Sequence, residues 1–448
     1  MQLIEVASGI KTYNMKMLNS IIISIWLLSG CKPDPIILPP VNPKPPCVID
    51  YLCDSSKIEI VWRQPLSTDT AEWASTEPPI IFENNVLFTR FTFNEQIDTL
   101  KQLNRFTGKL EWTWADYQGK IPYVADQRIY FSNNKYIFTT WNDVYAINAS
   151  DGKLSWKTLM PVGGSGDPFM NIANNKLYHT HNKKENRKKV ASYIVRSDID
   201  FGKWDTVFTQ PIIGNLEPDT KPPAVWIAPS GDEILIFQIR YVDFSPLIVQ
   251  RVDVVAFNVT KKENYFRFDN IDPYFTGSVG VPFILNNKVY MPLNRSVVCI
   301  DMIKKQKVWE KEFGLGGHFL NGSSFLFVEN KFFVKPNNES LYQLDPDTGL
   351  EIWVDKNGGG AGPSDMVYNE GIIYYTGDGT AKIYALDIAA KKYIWAEKSP
   401  NYFYNKFNGK KRYDNANIGF GGIAIDPVNR LLYTSDNYFA MCLKLPKK

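Results

Sequence analysis

Along most of the chain, short apolar runs alternate with a few turn-forming residues. In 325–337 (FLFVENKFFVKPN) and 366–378 (MVYNEGIIYYTGD), two runs rich in aromatic and β-branched residues flank an Asn- or Gly-containing turn. This pattern predicts strand, tight turn, strand. A third run follows each pair, SLYQL (340–344) and KIYAL (382–386), and after it an Asp stands eight residues before a Trp. Each unit therefore predicts four short antiparallel strands.

The Asp-to-Trp stretch recurs. NRFTGKLEW (104–112), NASDGKLSW (148–156), DMIKKQKVW (301–309), DPDTGLEIW (345–353) and DIAAKKYIW (387–395) all keep Asp or Asn eight residues before Trp, as do the weaker DSSKIEIVW (54–62) and NVTKKENYF (258–266). An eighth mark, Trp204, keeps Gly-Lys but has Arg196 where the acid belongs. The marks Trp62, Trp112, Trp156, Trp204, Phe266, Trp309, Trp353 and Trp395 follow one another at 50, 44, 48, 62, 43, 44 and 42 residues. A period of about 45 residues with four strands per unit is that of a β-propeller. After Trp395 three more strand-like runs follow (GGIAID, RLLYTSD, FAMCLKL), and KIEIVW (57–62) stands alone at the other end. Pairing that first strand with the last three completes an eighth blade and removes the open edges. The expected fold is an all-β, eight-bladed propeller of four-stranded antiparallel blades over residues 54–446.

DPDTGLEIW holds three carboxylates, but recurrence argues against an active site, because chemistry needs its groups once. Pro presets φ, Asp caps turn amides and Gly takes a positive φ, while a Trp on the last strand covers the neighbouring blade. The eight aromatic marks are thus expected to be structural.

The pattern Ala-x-Asp-x-x-Thr-Gly-Lys-x-x-Trp, closest in AINASDGKLSW (146–156) and ALDIAAKKYIW (385–395), resembles the tryptophan-docking motif of PQQ-like eight-bladed propellers. That family includes quinoprotein alcohol dehydrogenases and the propeller lipoprotein of the outer-membrane β-barrel assembly machinery. The resemblance implies the fold over nearly all of 54–446. The dehydrogenases carry calcium-bound PQQ, an Asp base and usually an adjacent cysteine pair, which this chain lacks, and no catalytic residue carries over. The expectation is a protein without enzymatic activity, cofactor or metal.

The amino terminus adds a tether. Lys16 precedes the apolar run Ile21–Leu28, too short to cross a bilayer, and then LLSGC ends at Cys31, an order that resembles the bacterial lipobox. Residues 1–30 are read as a lipoprotein signal peptide, with Met1, Met15 or Met17 as alternative starts, and Cys31 as the lipidated residue. Seven prolines between Pro33 and Pro46 predict an extended stalk over 31–53, the prolines alone spanning about 40 Å at ~3.1 Å per residue. Lys32 stands where an inner-membrane retention Asp would stand, so the resemblance implies a lipid-anchored outer-membrane protein, on its periplasmic or cell-surface side.

Composition narrows the partners. Fifty basic against 47 acidic residues leave a charge of +3, which speaks against nucleic acid. Three histidines, two of them alternating at His179 and His181 and read as a surface pair, offer little for a metal. Cys47 and Cys53 could form a local disulfide in an oxidising compartment, whereas Cys299 and Cys442 are expected to be buried thiols. The Gly-rich VGGSGDP (162–168), GLGGH (314–318), GGGAGPSD (358–365) and GFGG (419–422) lack the ending of a phosphate loop and read as inter-blade crossings. Function is then sought where the repeat breaks. The segment 399–415 places Tyr402, Phe403, Tyr404, Phe407 and Tyr413 beside Lys and Arg, and 239–253 (IRYVDFSPLIVQRVD) is an insertion that explains the 62-residue step. Two partner classes fit: outer-membrane proteins of a β-barrel assembly, transport or secretion complex, with the chain as scaffold, or a glycan ligand.

Overall fold

The computed structural model describes residues 58–447, apart from 67–73, 76–77, 93–98, 116–128, 140–142, 160–163, 187, 245–246, 273–280, 315–324, 339, 360–363, 378–379, 401–421 and 437. Cys31, Cys47, Cys53, His318 and the aromatic residues 402, 403, 404, 407 and 413 lie outside the described residues.

The regular structure is a ring of eight antiparallel β-sheets, each following the last along the chain. Blades one to seven occupy 74–114, 130–159, 164–211, 217–268, 283–312, 325–355 and 367–398. Blade eight joins the three last strands to the first: Ile60–Pro65 pairs with Phe439–Lys444, Trp62 opposite Cys442. In blades one and four the first strand is broken in two. Apolar faces of neighbouring blades close on one another, as where Leu235, Phe237 and Ile239 of blade four meet Tyr178 and Ile194 of blade three.

Local sequence accounts for the turns. The first two strands of a blade are joined by pairs in which both residues have positive φ: Asn133-Asn134, Asn174-Asn175, Glu329-Asn330 and Glu370-Gly371. That geometry matches strand twist and favours Asn and Gly. In the turn before the last strand, an Asp or Asn side chain caps the amides that follow. Asp345 Oδ1 accepts from the Asp347 and Thr348 amides at 3.0 and 2.8 Å and from Thr348 Oγ1, and Asp301 and Asp387 accept in the same way. The bonds from Thr348 and then Asp347 hold the Asp345 carboxyl below its usual range. It stays an acceptor, which suits a turn and not proton transfer.

After this turn the last strand bulges by one residue, and the residue following the bulge is Trp62, Trp112, Trp156, Phe266, Trp309, Trp353 or Trp395. Trp62, Trp156 and Trp309 each donate from Nε1 to a carbonyl in the turn of the next blade, at Arg105, Ile199 and Pro346. The glycine of that turn lies flat on the indole: a Cβ at Gly108, Gly152, Gly202 or Gly349 would come within 2.8 Å of Trp62, Trp112, Trp156 or Trp309 respectively. Where Lys replaces this glycine at Lys305 and Lys391, the backbone keeps a φ of 56° and 53°. Lys305 Nζ then lies 3.8 Å from the Tyr265 ring centroid, and Lys391 Nζ lies 5.9 Å from that of Trp353. Cation–π attraction thus offsets part of the cost of a left-handed lysine.

Blade three departs from the expected register. The capping acid is Asp198, which accepts from the Asp200 and Phe201 amides, and not a residue at position 196. Arg196 instead pairs with Asp205 on the strand. The bulge lies between Thr206 and Phe208, four residues beyond the position that would put Trp204 after it. Phe208 is therefore the residue after the bulge, buried edge-on against Phe237 and Phe257 of blade four, while Trp204 remains exposed. A correct Gly-Lys-Trp string had concealed a shifted bulge.

The glycine-rich crossings are also mixed. Gly359 has a φ of 87°, and a Cβ there would lie 2.4 Å from the Tyr384 ring, so close packing fits that segment. Residues 164–168 of VGGSGDP are instead part of the first strand of blade three, Gly164–Ala173. Cys299 and Cys442 are buried opposite Trp309 and Trp62, and burial pushes both thiols up to about 12, which leaves them unreactive.

Gly349→Ala places a methyl group against Trp309 and forces a left-handed alanine. We expect a loss of about 2–4 kcal/mol in a denaturant titration. Gly231→Ala, with positive φ but open space around it, should cost only the conformational part, about 1 kcal/mol.

Candidate interaction surface

Most second-to-third strand hairpins are short, with strands of four to eight residues in blades one, two, five, six, seven and eight. Two adjacent ones are not. In blade three Lys176–Glu185 pairs with Lys188–Asp198, and in blade four Glu233–Phe244 pairs with Leu247–Asn258. The insertion 239–253 is therefore the outer half of an ordinary hairpin made longer, and the basic run 182–189 forms the tip of the hairpin beside it. Neighbouring strands lengthen to match: Gly164, Ser165 and Gly166 pair with Lys183, Asn182 and His181, and the extra strand Glu217–Thr220 pairs with the outer half of Glu233–Phe244.

A charged seam joins the two extensions. Asp219, buried, accepts from Lys189 Nζ at 2.8 Å and Lys221 Nζ at 3.1 Å and is gripped by Arg240. Glu217 accepts from the Lys189 amide at 2.8 Å, and Ser192 Oγ accepts from the Thr220 amide at 3.0 Å. Farther out on blade four, Asp253 is held by Arg251 at 2.6 and 2.7 Å, by Arg267 and by the Asn270 amide at 2.9 Å. Burial alone would raise both carboxyls. For Asp219 the charges of Lys221, Arg240 and Lys189 outweigh burial and hold it well below its usual range. For Asp253 the bonds from Arg251, Asn270 and Arg267 do the same. Groups so fully engaged stiffen the extension and have no free lone pair or proton for catalysis.

The tip of the blade-three hairpin is exposed at Lys183, Lys184, Glu185 and Lys188. The Lys183–Glu185 pair, at 2.8 Å and half-exposed, contributes little. The surface thus presents a basic tip on a stiff base.

His179 and His181 are not a surface pair. Both are buried on the second strand of blade three, with His179 Nε2 3.3 Å from Ser197 Oγ. Strand alternation alone could not show that the strand continues inside a longer sheet. Burial, and after it His181, push the His179 ring down to about 3. No group of three or more His, Cys, Asp or Glu among the described residues is arranged to hold a metal ion. The acid–base seam itself was not read from sequence, the period-two spacing of Glu217, Asp219 and Lys221 being its only local trace.

Residues 59–182 match the family model described as outer membrane protein assembly factor BamB. No curated protein matches the chain. Among solved structures, BamB from Moraxella catarrhalis superposes with a TM-score of 0.52 at 11% identity, covering 87% of this chain and 98% of that one. The body is a BamB-like, PQQ-type propeller. The quinohemoprotein alcohol dehydrogenase ADHIIG from Pseudomonas putida HK5 gives 0.59 at 10% identity, covering 88% and 77%, and Sqt1 from Saccharomyces cerevisiae gives 0.58 at 8%, covering 87% and 100%. At such identities the likeness is one of fold, and this BamB-like propeller shares its frame with oxidoreductases.

Two outcomes are expected. Asp219→Asn leaves three cations around a neutral amide and should cost about 3–5 kcal/mol by denaturant titration. His179 stays neutral when folded but takes a proton near pH 6.5 when unfolded, so the stability it provides is present above pH 6.5 and falls between 6.5 and about 3. Between pH 7.5 and 5 its share of the loss should be about 2 kcal/mol, and His179→Gln should flatten the pH dependence by that amount.

Proposed function

We propose that this BamB-like propeller is a non-enzymatic, lipid-anchored scaffold that binds a protein partner in an outer-membrane complex for β-barrel assembly, transport or secretion. The observation that carries the reading is the departure from the repeat: the two long hairpins are adjacent, on one face, and braced by a seam of buried charge. A binding module has use for a stiff projecting surface; a propeller enzyme gathers its chemistry where channel and crossings converge. The match of 59–182 to the BamB model and the lipobox-like sequence at Cys31 support the same reading, with anchorage at the outer membrane.

The test is purification of the tagged full-length protein in mild detergent, followed by mass spectrometry. A stoichiometric membrane protein should be recovered, and Lys183→Glu with Lys184→Glu and Lys188→Glu should lower its recovery at least tenfold while the thermal midpoint stays unchanged. A monomer that binds a glycan array would favour the ligand-binding alternative. Bound PQQ with calcium, or dye-linked alcohol oxidation, would overturn the non-enzymatic reading.

A further inference from the structure

Charge is shared unequally between the tip of the blade-three hairpin and the rest of the molecule. The tip sequence NKKENRKK (182–189) sets Lys183, Lys184, Arg187, Lys188 and Lys189 against Glu185 alone, five cations to one carboxylate and a formal charge of +4. The whole chain carries +3. One hairpin tip therefore accounts for the entire positive excess, and the remaining residues are close to neutral as a set.

The nearby carboxylates do not cancel this charge at the surface. Glu217 and Asp219, the two that reach the tip from blade four, bond to the Lys189 amide and ammonium and are themselves buried. Asp219 already stands among three cations, Lys189, Lys221 and Arg240. The exposed Glu185 is held by Lys183. Lys184 and Lys188 are exposed, and among the described residues neither has an ion-pair partner. Strand direction alternates within each blade, so the third-to-fourth turns emerge on the opposite face of the ring. That face is mixed: Lys109, Lys203 and Lys304 are exposed there, and so are Asp151, Asp347 and the isolated apolar residues Phe201 and Leu350.

Like charges held together on a stiff base repel one another, and an anionic partner relieves that repulsion. The composition of the tip narrows which anion. It holds no apolar residue, whereas a segment that settles into a membrane surface carries apolar side chains to bury there. It is one hairpin end and not the extended basic face that tracks a nucleic acid. Four of its five cations are lysines, hydrated point charges on flexible stems. These meet carboxylates in varied arrangements and do not impose the planar fork of arginine.

We infer that the tip of the blade-three hairpin binds an acidic polypeptide segment of the protein partner, with Lys184 and Lys188 as its first contacts. The inference rests on the scaffold reading for the existence of a partner and adds the chemistry that this partner must present.

A fluorescent oligoglutamate peptide stands in for that segment, and its anisotropy with the purified full-length protein reads binding. Binding is expected at low salt and should weaken about tenfold at ~0.3 M salt. Lys183→Glu with Lys184→Glu and Lys188→Glu should weaken it about tenfold or more. Lys109→Glu with Lys203→Glu and Lys304→Glu changes the net charge equally on the opposite face and should leave binding unchanged. On the parent chain, a water-soluble carbodiimide should couple peptide carboxylates to Lys184 or Lys188. Absence of binding, equal losses in the two variants, or coupling spread over lysines all round the ring would each overturn the inference. So would displacement of the peptide by phosphatidylglycerol vesicles or duplex DNA at lower concentration. Partner recovery in mild detergent separates the two readings. A partner recovered undiminished with the hairpin variant keeps the scaffold and sinks the acidic contact, whereas peptide bound at Lys184 and Lys188 with no partner recovered sinks the scaffold and keeps the basic site.

Discussion

Everything in this ring depends on a single contact repeated between blades: the aromatic ring after a bulge, covered by the left-handed turn of the next blade. A blade of four short strands has two apolar faces and no means of burying them alone. The bulge turns the aromatic sideways out of its sheet, the turn supplies a flat backbone roof, and in three seams the indole N–H finds a carbonyl there. The roof must be thin, which is why glycine stands over Trp62, Trp112, Trp156 and Trp309. Closure follows from the same contact, since Trp62 on the first strand docks against blade one while its own strand completes blade eight.

With the ring held in this way, irregularity becomes affordable at its margins. Blades three and four keep their seam although the docking residue changes to Phe208, because the displaced bulge still presents an aromatic ring to Phe237 and Phe257. Along the extended strands, ion pairs around Asp219 and Asp253 add to the packing. Such pairs gain little over apolar packing. They do allow a projection to be stiff while remaining polar enough to stand in water.

The two faces of the ring are consequently unlike. One carries turns capped by carboxylates and tipped with apolar and lysine side chains; the other carries the long hairpins.

The repeat, the strand count, the closure by the terminal strands and the structural nature of the carboxylate-rich turns were all legible in the sequence. They arise from local rules, strand alternation, turn chemistry and a fixed Asp-to-Trp spacing, which hold whatever surrounds them. What the tertiary structure decided depends on register and on neighbours. Trp204 lost its docking role because the bulge lies four residues farther along, before Phe208, and no residue-type pattern marks a bulge. His179 and His181 proved buried because the strands beside them are long. The seam of Asp219, Lys189, Lys221 and Arg240 joins residues up to 51 positions apart, and which charges meet across two blades is set only when the ring closes.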